Sequence, residues 1–299
     1  MAYKIRKNKS VEKSVRKVVG EQIDKAIAEI EDDHLDSHET IHQVRKRCKK
    51  IRGLIRLIRP AFADYSRENK FIRNMARDLS FVRDAQSTIE SLDLLAKHYQ
   101  SHVDNTIFAR ARSELLDRRR KITEDSVLIE DKIHTFLGKL KKLRKHLEKW
   151  HVKDDGFSAV AGGMRKTYRR GRKAMPWAYD EPNMENFHEW RKRVKYHLYH
   201  MRLLREIWPE MIKAHQKTAD ELADLLGDEH DLAVLRQVFE DNIDGFGDKE
   251  KMSVLLALID RRRRELQLEV RLPGERLFAE DDDQLVKRFG SYWAIWQAT

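Results

Sequence analysis

The sequence predicts an all-α protein built as two helical bundles related by a pseudo-twofold axis, and three observations carry that expectation. Glycine (12) and proline (5) are scarce in 299 residues, so few breakers interrupt long helices. Apolar residues recur at steps of three and four along most of the chain, the spacing of a helix with one buried face. The chain also reads twice. His42-x-x-Arg45-Lys46-Arg47-x-Lys49 returns 146 positions later as His188-x-x-Arg191-Lys192-Arg193-x-Lys195. Leu79 and Arg83-Asp84 return 147 positions later as Leu226 and His230-Asp231. Leu116-Asp117-Arg118-Arg119-Arg120 returns 143 positions later as Ile259-Asp260-Arg261-Arg262-Arg263.

Taken in order, the elements follow from periodicity and breakers. The halves are 1–150 and 151–299; the pattern breaks between Trp150 and Gly163, at His151 to Gly156 and at Gly162-Gly163. The first half predicts helices near 10–30, 37–59, 67–98, 104–122 and 125–150. The second predicts them near 157–174, 186–207, 210–240, 249–269 and 283–297. In each half the second helix stops near a proline, Pro60 or Pro209. Asp36 or Ser37 reads as the N-cap of the first of these. The segments from Pro176 to Asn186 and from Asn242 to Lys249 read as loops.

Composition narrows the partners. Charged residues make up 37% of the chain, and 61 Lys+Arg against 50 Asp+Glu give a net charge of +11. The isoelectric point is near 9.5 and the mean hydropathy −0.74. This balance favours anionic partners and a core confined to narrow stripes. No stretch approaches a membrane span, and Met1 to Val19 is basic without the apolar centre of a signal peptide. The single cysteine, Cys48, excludes an internal disulfide framework. A cytoplasmic location is expected.

The chemistry concentrates on two helices. On the first, Val44, Cys48, Ile51, Ile55 and Ile58 form a buried face. Cys48 sits among them and reads as a small core residue. His42, Arg45, Lys49, Arg52, Arg56 and Arg59 recur at the same steps on another face, with Lys46 beside them. On the second helix the equivalent positions hold His188, Arg191, Lys195, Arg202 and Arg205, with Lys192 beside them and Leu198 where an arginine would be expected. Its apolar face is Trp190, Val194, Met201 and Leu204. No Asp or Glu occurs from Ile41 to Ala61 or from Trp190 to Leu204, although acids abound elsewhere, as at Glu31-Asp32-Asp33. Like charges four residues apart each cost roughly 0.2–0.5 kcal/mol on a helix, and an ordinary solvated face mixes signs. A linear polyanion would offset the repulsion, its phosphate oxygens accepting from arginine and lysine. The segment Arg165-Lys166-Thr167-Tyr168-Arg169-Arg170-Gly171-Arg172-Lys173 adds a further basic stretch. From it, Arg165, Tyr168, Arg169 and Arg172 are expected to join the same site.

Other constellations carry less. His34, His38 and His42 suggest a metal set, but a cap at Asp36 or Ser37 puts His34 off the helix, and Asp180 and Met184 replace the first two in the second half. No metal or cofactor is expected. His42 and His188 each open a cationic stripe, a place suited to contacting phosphate. Asp84 and Asp231, also duplicated, fit partners of stripe arginines better than metal ligands. There is no phosphate-binding glycine loop, nucleophile motif or paired-carboxylate signature.

These residues resemble the CHAD family, named for conserved histidines in an α-helical domain. The likeness rests on the two His-x-x-Arg-Lys motifs, on Met164 to Arg172, and on Leu226-Gly227-x-x-His230-Asp231. Leu277-Phe278-Ala279-Glu280 and Phe289-x-x-Tyr292-Trp293 extend it, so that it covers essentially the whole chain. The resemblance implies two four-helix bundles about a pseudo-twofold, a basic central groove or pore, binding of inorganic polyphosphate and association with polyphosphate granules. Some members carry a fused triphosphate-tunnel catalytic domain, with alternating acidic residues on strands. No such segment occurs here, and the protein is expected not to be an enzyme. The alternatives are a nucleic-acid binder, for which only Tyr196 and Tyr199 interleave with the cations, and an enzyme acting on phosphate esters.

Overall fold

The computed structural model describes residues 3–101, 103, 106–123, 126–242, 246 and 249–299, and among them the secondary structure is helical without strands. In the first half α1 (Val11–Ile30) and α2 (Ser37–Leu57) are followed by α3 (Tyr65–Arg77), α4 (Ser80–Tyr99), α5 (Thr106–Thr123) and α6 (Ser126–His146). The second half holds α7 (Ser158–Asp180), α8 (Met184–Leu204), α9 (Pro209–Glu240), α10 (Lys249–Glu269), α11 (Arg271–Leu277) and α12 (Asp282–Ala298). No helix among the described residues is long and apolar enough to cross a membrane. The expected loop 242–249 lies for the most part outside the described residues.

Local chemistry sets the helix ends. Asp36 caps α2, its carboxylate accepting from the Glu39 amide, and Asn183 caps α8 in the same way through the Asn186 amide. Helix α2 ends three residues before Pro60. Pro209 opens α9, where its missing N–H leaves no helical bond unmade.

Several boundaries depart from the sequence reading. The helix expected over 67–98 is two, parted at Asp78 and Leu79. The interruption frees a carbonyl near the end of α3, that of Ala76, to accept from Arg45 Nη1 at 2.6 Å. Helix α7 runs through Pro176 to Asp180, over the first part of the expected loop. Packing holds its last turn: Ala178 is fully buried and the Tyr179 hydroxyl donates to the Gln267 carbonyl at 2.8 Å. Gly162 and Gly163 are not breaks but lie inside α7. A Cβ on Gly163 would stand 1.8 Å from the Leu57 carbonyl oxygen, so glycine there lets α7 rest on the end of α2.

The pairings run in one order through both halves. Helix α1 packs on α2 and α6, and α7 on α8 and α12; α4 packs on α5, and α9 on α10. Across the halves α2 meets α7 and α8, while α4 meets α9. One apolar cluster runs from Val15, Ile51 and Leu140 through Trp190, Leu222 and Phe289. A second gathers Leu92 and Leu115 of α4 and α5 with Leu235 and Ile259 of α9 and α10. Both clusters therefore draw on both halves.

Candidate functional site

The site is built where α2 crosses α8. They approach closely at Gly53, where a Cβ would lie 2.8 Å from the Tyr199 Cβ. Buried His200 fixes the same crossing, its Nε2 lying 3.2 Å from the Gly53 carbonyl oxygen. Burial first, and then Arg59 and Arg56, hold the His200 pKa down at about 3. The imidazole is thus neutral near pH 7, and its Nε2–H donates to that carbonyl. The predicted apolar faces are the ones buried here: Val44, Cys48, Ile51, Ile55 and Ile58 on α2, and Trp190, Val194, Met201 and Leu204 on α8. Leu198, which replaces the expected arginine, is buried too. Burial pushes the Cys48 thiol up to about 12, which makes it inert core.

With those faces inward, the cations of the two helices come together. The Lys49 side chain is open to solvent, yet protein atoms crowd its ammonium. That desolvation, followed by the charges of Arg45, Arg191, Lys195 and Arg83, brings its pKa down to about 8. Lys192 of α8 is depressed in turn, by burial and then by Arg52 and Arg56 of α2, with Tyr196 and Glu185 acting the other way. Among the described residues no carboxylate lies within ion-pairing distance of Arg45, Lys46, Lys49, Arg52, Arg56 or Arg59.

Neighbouring helices complete the surroundings. Asp84 of α4 is the strongest opposite charge on Arg45, and Arg191 plays that part for Asp231 of α9. Both carboxyls are raised, because burial outweighs those arginines. Arg191 lies against α9 at Gly227, its Nη2 3.4 Å from where a Cβ there would stand. His188 stacks on His230 with ring centres 4.2 Å apart. Burial, then Lys192 and Arg191, lowers His188 to about 4. His42, half-buried, is lowered by burial and then by Arg83. Of these groups Asp84, His188, His230 and Asp231 line a cleft of about 560 Å³, together with Ser87 and Glu185.

Not every predicted residue joins the cluster. Arg56 is buried; its guanidinium lies over the Tyr196 ring at 3.9 Å and donates to the Arg52 carbonyl. Tyr168 is core, with its hydroxyl donating to the Leu277 carbonyl at 3.1 Å. Arg165, Arg169 and Arg172 face the acidic start of α12, pairing with Asp283, Asp282 and Asp281 at 2.8, 3.0 and 2.8 Å. Steps of three and four put these arginines on the α12 side of α7, so their charge is met within the fold. The α8 stripe is also less bare than its sequence: Lys195 pairs with Asp224 at 3.1 Å and Arg202 with Asp220 at 2.7 Å, both acids coming from α9. Lys192 pairs with Glu189 one turn earlier. Arg83, which sequence reasoning noted only as a departure between the halves, acts on both Lys49 and His42. Its place in the repeat opposite His230 was the available signal.

The family model of the CHAD domain matches residues 17–240. No curated protein matches the chain.

Proposed function

Starting from the chain's membership of the CHAD domain family, we propose that it binds inorganic polyphosphate along the cations that α2 and α8 bring together. One observation carries this reading: the charges of Arg45 and Arg83 of the first half and of Arg191 and Lys195 of the second all bear on Lys49, and among the described residues no carboxylate lies within ion-pairing distance of it. Concentrating positive charge from several helices with few carboxylates works against folding and favours a multivalent anion. Arg45, Arg191 and Arg52 would donate to phosphate oxygens, and Lys46, Lys49, Lys192 and Lys195 would supply point charges. His42 and His188 would become charged beside a bound phosphate. The protein acts in this reading as a binder, not a catalyst, in the cytoplasm and on polyphosphate granules.

A nucleic-acid ligand is less well served. Base stacking needs exposed aromatic rings among the cations, whereas Tyr199 is buried and Tyr196 is covered by Arg56. The test is a titration of long-chain polyphosphate against DNA and RNA at equal charge concentration, over several salt concentrations. Polyphosphate should bind most tightly, weakening steeply with salt. Changing Arg45, Lys49, Arg191 and Lys195 together to alanine should abolish tight binding while the helical circular dichroism stays. Unchanged affinity in that variant, or preference for nucleic acid, would overturn the assignment. Phosphate released on incubation with polyphosphate and a divalent metal would show an enzyme instead.

A further inference from the structure

Resting on the polyphosphate reading, we infer that the anion track continues beyond the α2–α8 cluster onto α7, where Arg59, Lys166, Arg170 and Arg193 form a second cationic station for the same linear chain. The sequence placed α7 at the site through Arg165, Tyr168, Arg169 and Arg172. Those residues are engaged by α12 or by the core. Lys166 and Arg170, each one position further along and four residues apart, lie on a different side of the helix and are exposed.

Close packing brings that side of α7 to the end of α2. A Cβ on Gly163 would meet the carbonyl oxygens of Leu57 and Arg56 at 1.8 and 2.4 Å, and one on Gly162 would meet Pro60 Cγ at 2.9 Å. Across this junction Arg59 Nη2 donates to Thr167 Oγ1 at 3.0 Å, and Arg59 Nε donates to the Arg56 carbonyl at 3.2 Å. Arg59 is thereby held between α2 and α7, with its guanidinium 5.5 Å from the Tyr65 ring centre. Its charge is the leading influence that lowers Lys166, ahead of burial, Arg170 and Arg169. Arg170 and Arg59 also act on Arg193 of α8, whose lowering is due first to burial. Four cations from three parts of the fold thus lie within electrostatic reach of one another. Arg193 is paired with Glu189. Among the described residues no carboxylate lies within ion-pairing distance of Arg59, Lys166 or Arg170.

The two stations are joined. Ten positions separate Lys49 on α2 from Arg59 just past its end, which is about 15 Å along a helix. Arg52 and Lys192 lie between, close enough for Arg52 to lower Lys192. A short anion can fill one station only. A linear chain of phosphates can lie along both, so chain length becomes the property the surface selects.

The experiment titrates tripolyphosphate and long-chain polyphosphate into the full chain and three variants: K166A/R170A, R165A/R172A and K49A/K195A. For K166A/R170A the affinity for long chains should fall about tenfold, and the salt slope by about 0.7 for each phosphate no longer neutralised. Its affinity for tripolyphosphate, held at the Lys49 cluster, should not change. R165A/R172A should match the wild type for both anions, and K49A/K195A should weaken both. All four changed residues of the first two variants are at the surface or half-exposed, and circular dichroism checks their fold. Wild-type affinity and salt slope for long chains in K166A/R170A would overturn the inference, as would equal weakening toward both anions. Absence of binding by the wild type would instead overturn the polyphosphate reading, and this inference with it.

Discussion

Gly53 and Tyr199 stand 146 residues apart, the same offset as the two His-x-x-Arg-Lys motifs, and meet where α2 crosses α8. An added Cβ on Gly53 would lie 2.8 Å from both Cβ and Cδ2 of Tyr199 and 2.9 Å from Cγ. One helix supplies the hole and the other the ring. Two tyrosines would collide here, and two glycines would leave a void. The halves therefore differ at a point where they touch closely.

Gly53→Ala is accordingly expected to destabilise the fold. Alanine gains about 1 kcal/mol of helix propensity over glycine, but overpacking against the fixed root of a buried ring costs about 1–3 kcal/mol. Gly138, on α6, has nothing within 4 Å of an added Cβ, so Gly138→Ala should stabilise by up to about 1 kcal/mol. Urea unfolding of the two variants checks both signs. A more stable Gly53→Ala would show that α2 and α8 can separate freely.

Binding should depend on alkaline pH through Lys49. Its free pKa of about 8 means that much of its charge is gone by pH 9, and a bound polyanion would restore it. Proton uptake should accompany binding near pH 8 to 9, measurable by calorimetry in buffers of different ionisation enthalpy. Affinity should weaken from pH 7 to 9. Lys49→Arg should keep binding but flatten this dependence, and an equally steep profile in that variant would assign the proton elsewhere.

Mild acid should unfold the protein. Burial holds His200 at about 3, His215 at about 4 and His197 well below its ordinary value. His188 and His230 sit at about 4 and about 3 for the same leading reason. These groups are depressed in the fold, so the unfolded chain takes up protons first. Their contribution is complete above about pH 6.5 and is lost as pH falls toward the folded values. Each fully coupled histidine adds a slope of about 1.4 kcal/mol per pH unit in that window. His200→Gln keeps a donor for the Gly53 carbonyl and should give a shallower acid limb in unfolding measured from pH 7 to pH 5. An unchanged limb would exclude His200 as a contributor.

Glu229 should be a point of failure for the second apolar cluster. It is fully buried, and its Oε1 accepts from Arg263 Nε at 3.1 Å, Arg263 Nη2 at 2.8 Å and Gln267 Nε2 at 3.0 Å. Glu229→Ala would leave Arg263 with only the Asp260 carboxylate, 4.0 Å away, at a cost of about 3 kcal/mol. Adding Arg263→Leu should recover part of the loss. A single variant as stable as the wild type in chemical unfolding would mean that Arg263 swings out to water.

Several features were legible because short-range rules decide them. The cap at Asp36, the helix ends near Pro60 and Pro209, and the apolar faces of α2 and α8 follow from local residue types and spacing. The split at Asp78 and Leu79 was not legible, since no glycine or proline marks it. The last turn of α7 was hidden by Pro176, a breaker overruled by the burial of Ala178. Gly162-Gly163 looked like a break because a close helix crossing and a loop both require the same residue. For the site, the cationic positions of α2 were readable, whereas the roles within α7 were not. A run such as Arg165 to Lys173 has cations on every side, and periodicity alone does not say which side meets acid.

The sequence by itself determined that this chain is helical, that its two His-x-x-Arg-Lys motifs stand on amphipathic helices, and that it carries a net positive charge. Those are properties of propensity, period and composition, all fixed over a few turns. Tertiary structure alone decided which cations stay available. Asp220, Asp224 and Asp281 to Asp283 lie far along the chain from the arginines and lysines they pair with, and Arg56 finds Tyr196 only across the halves. Charge compensation acts through space, so its outcome waits on which helices become neighbours.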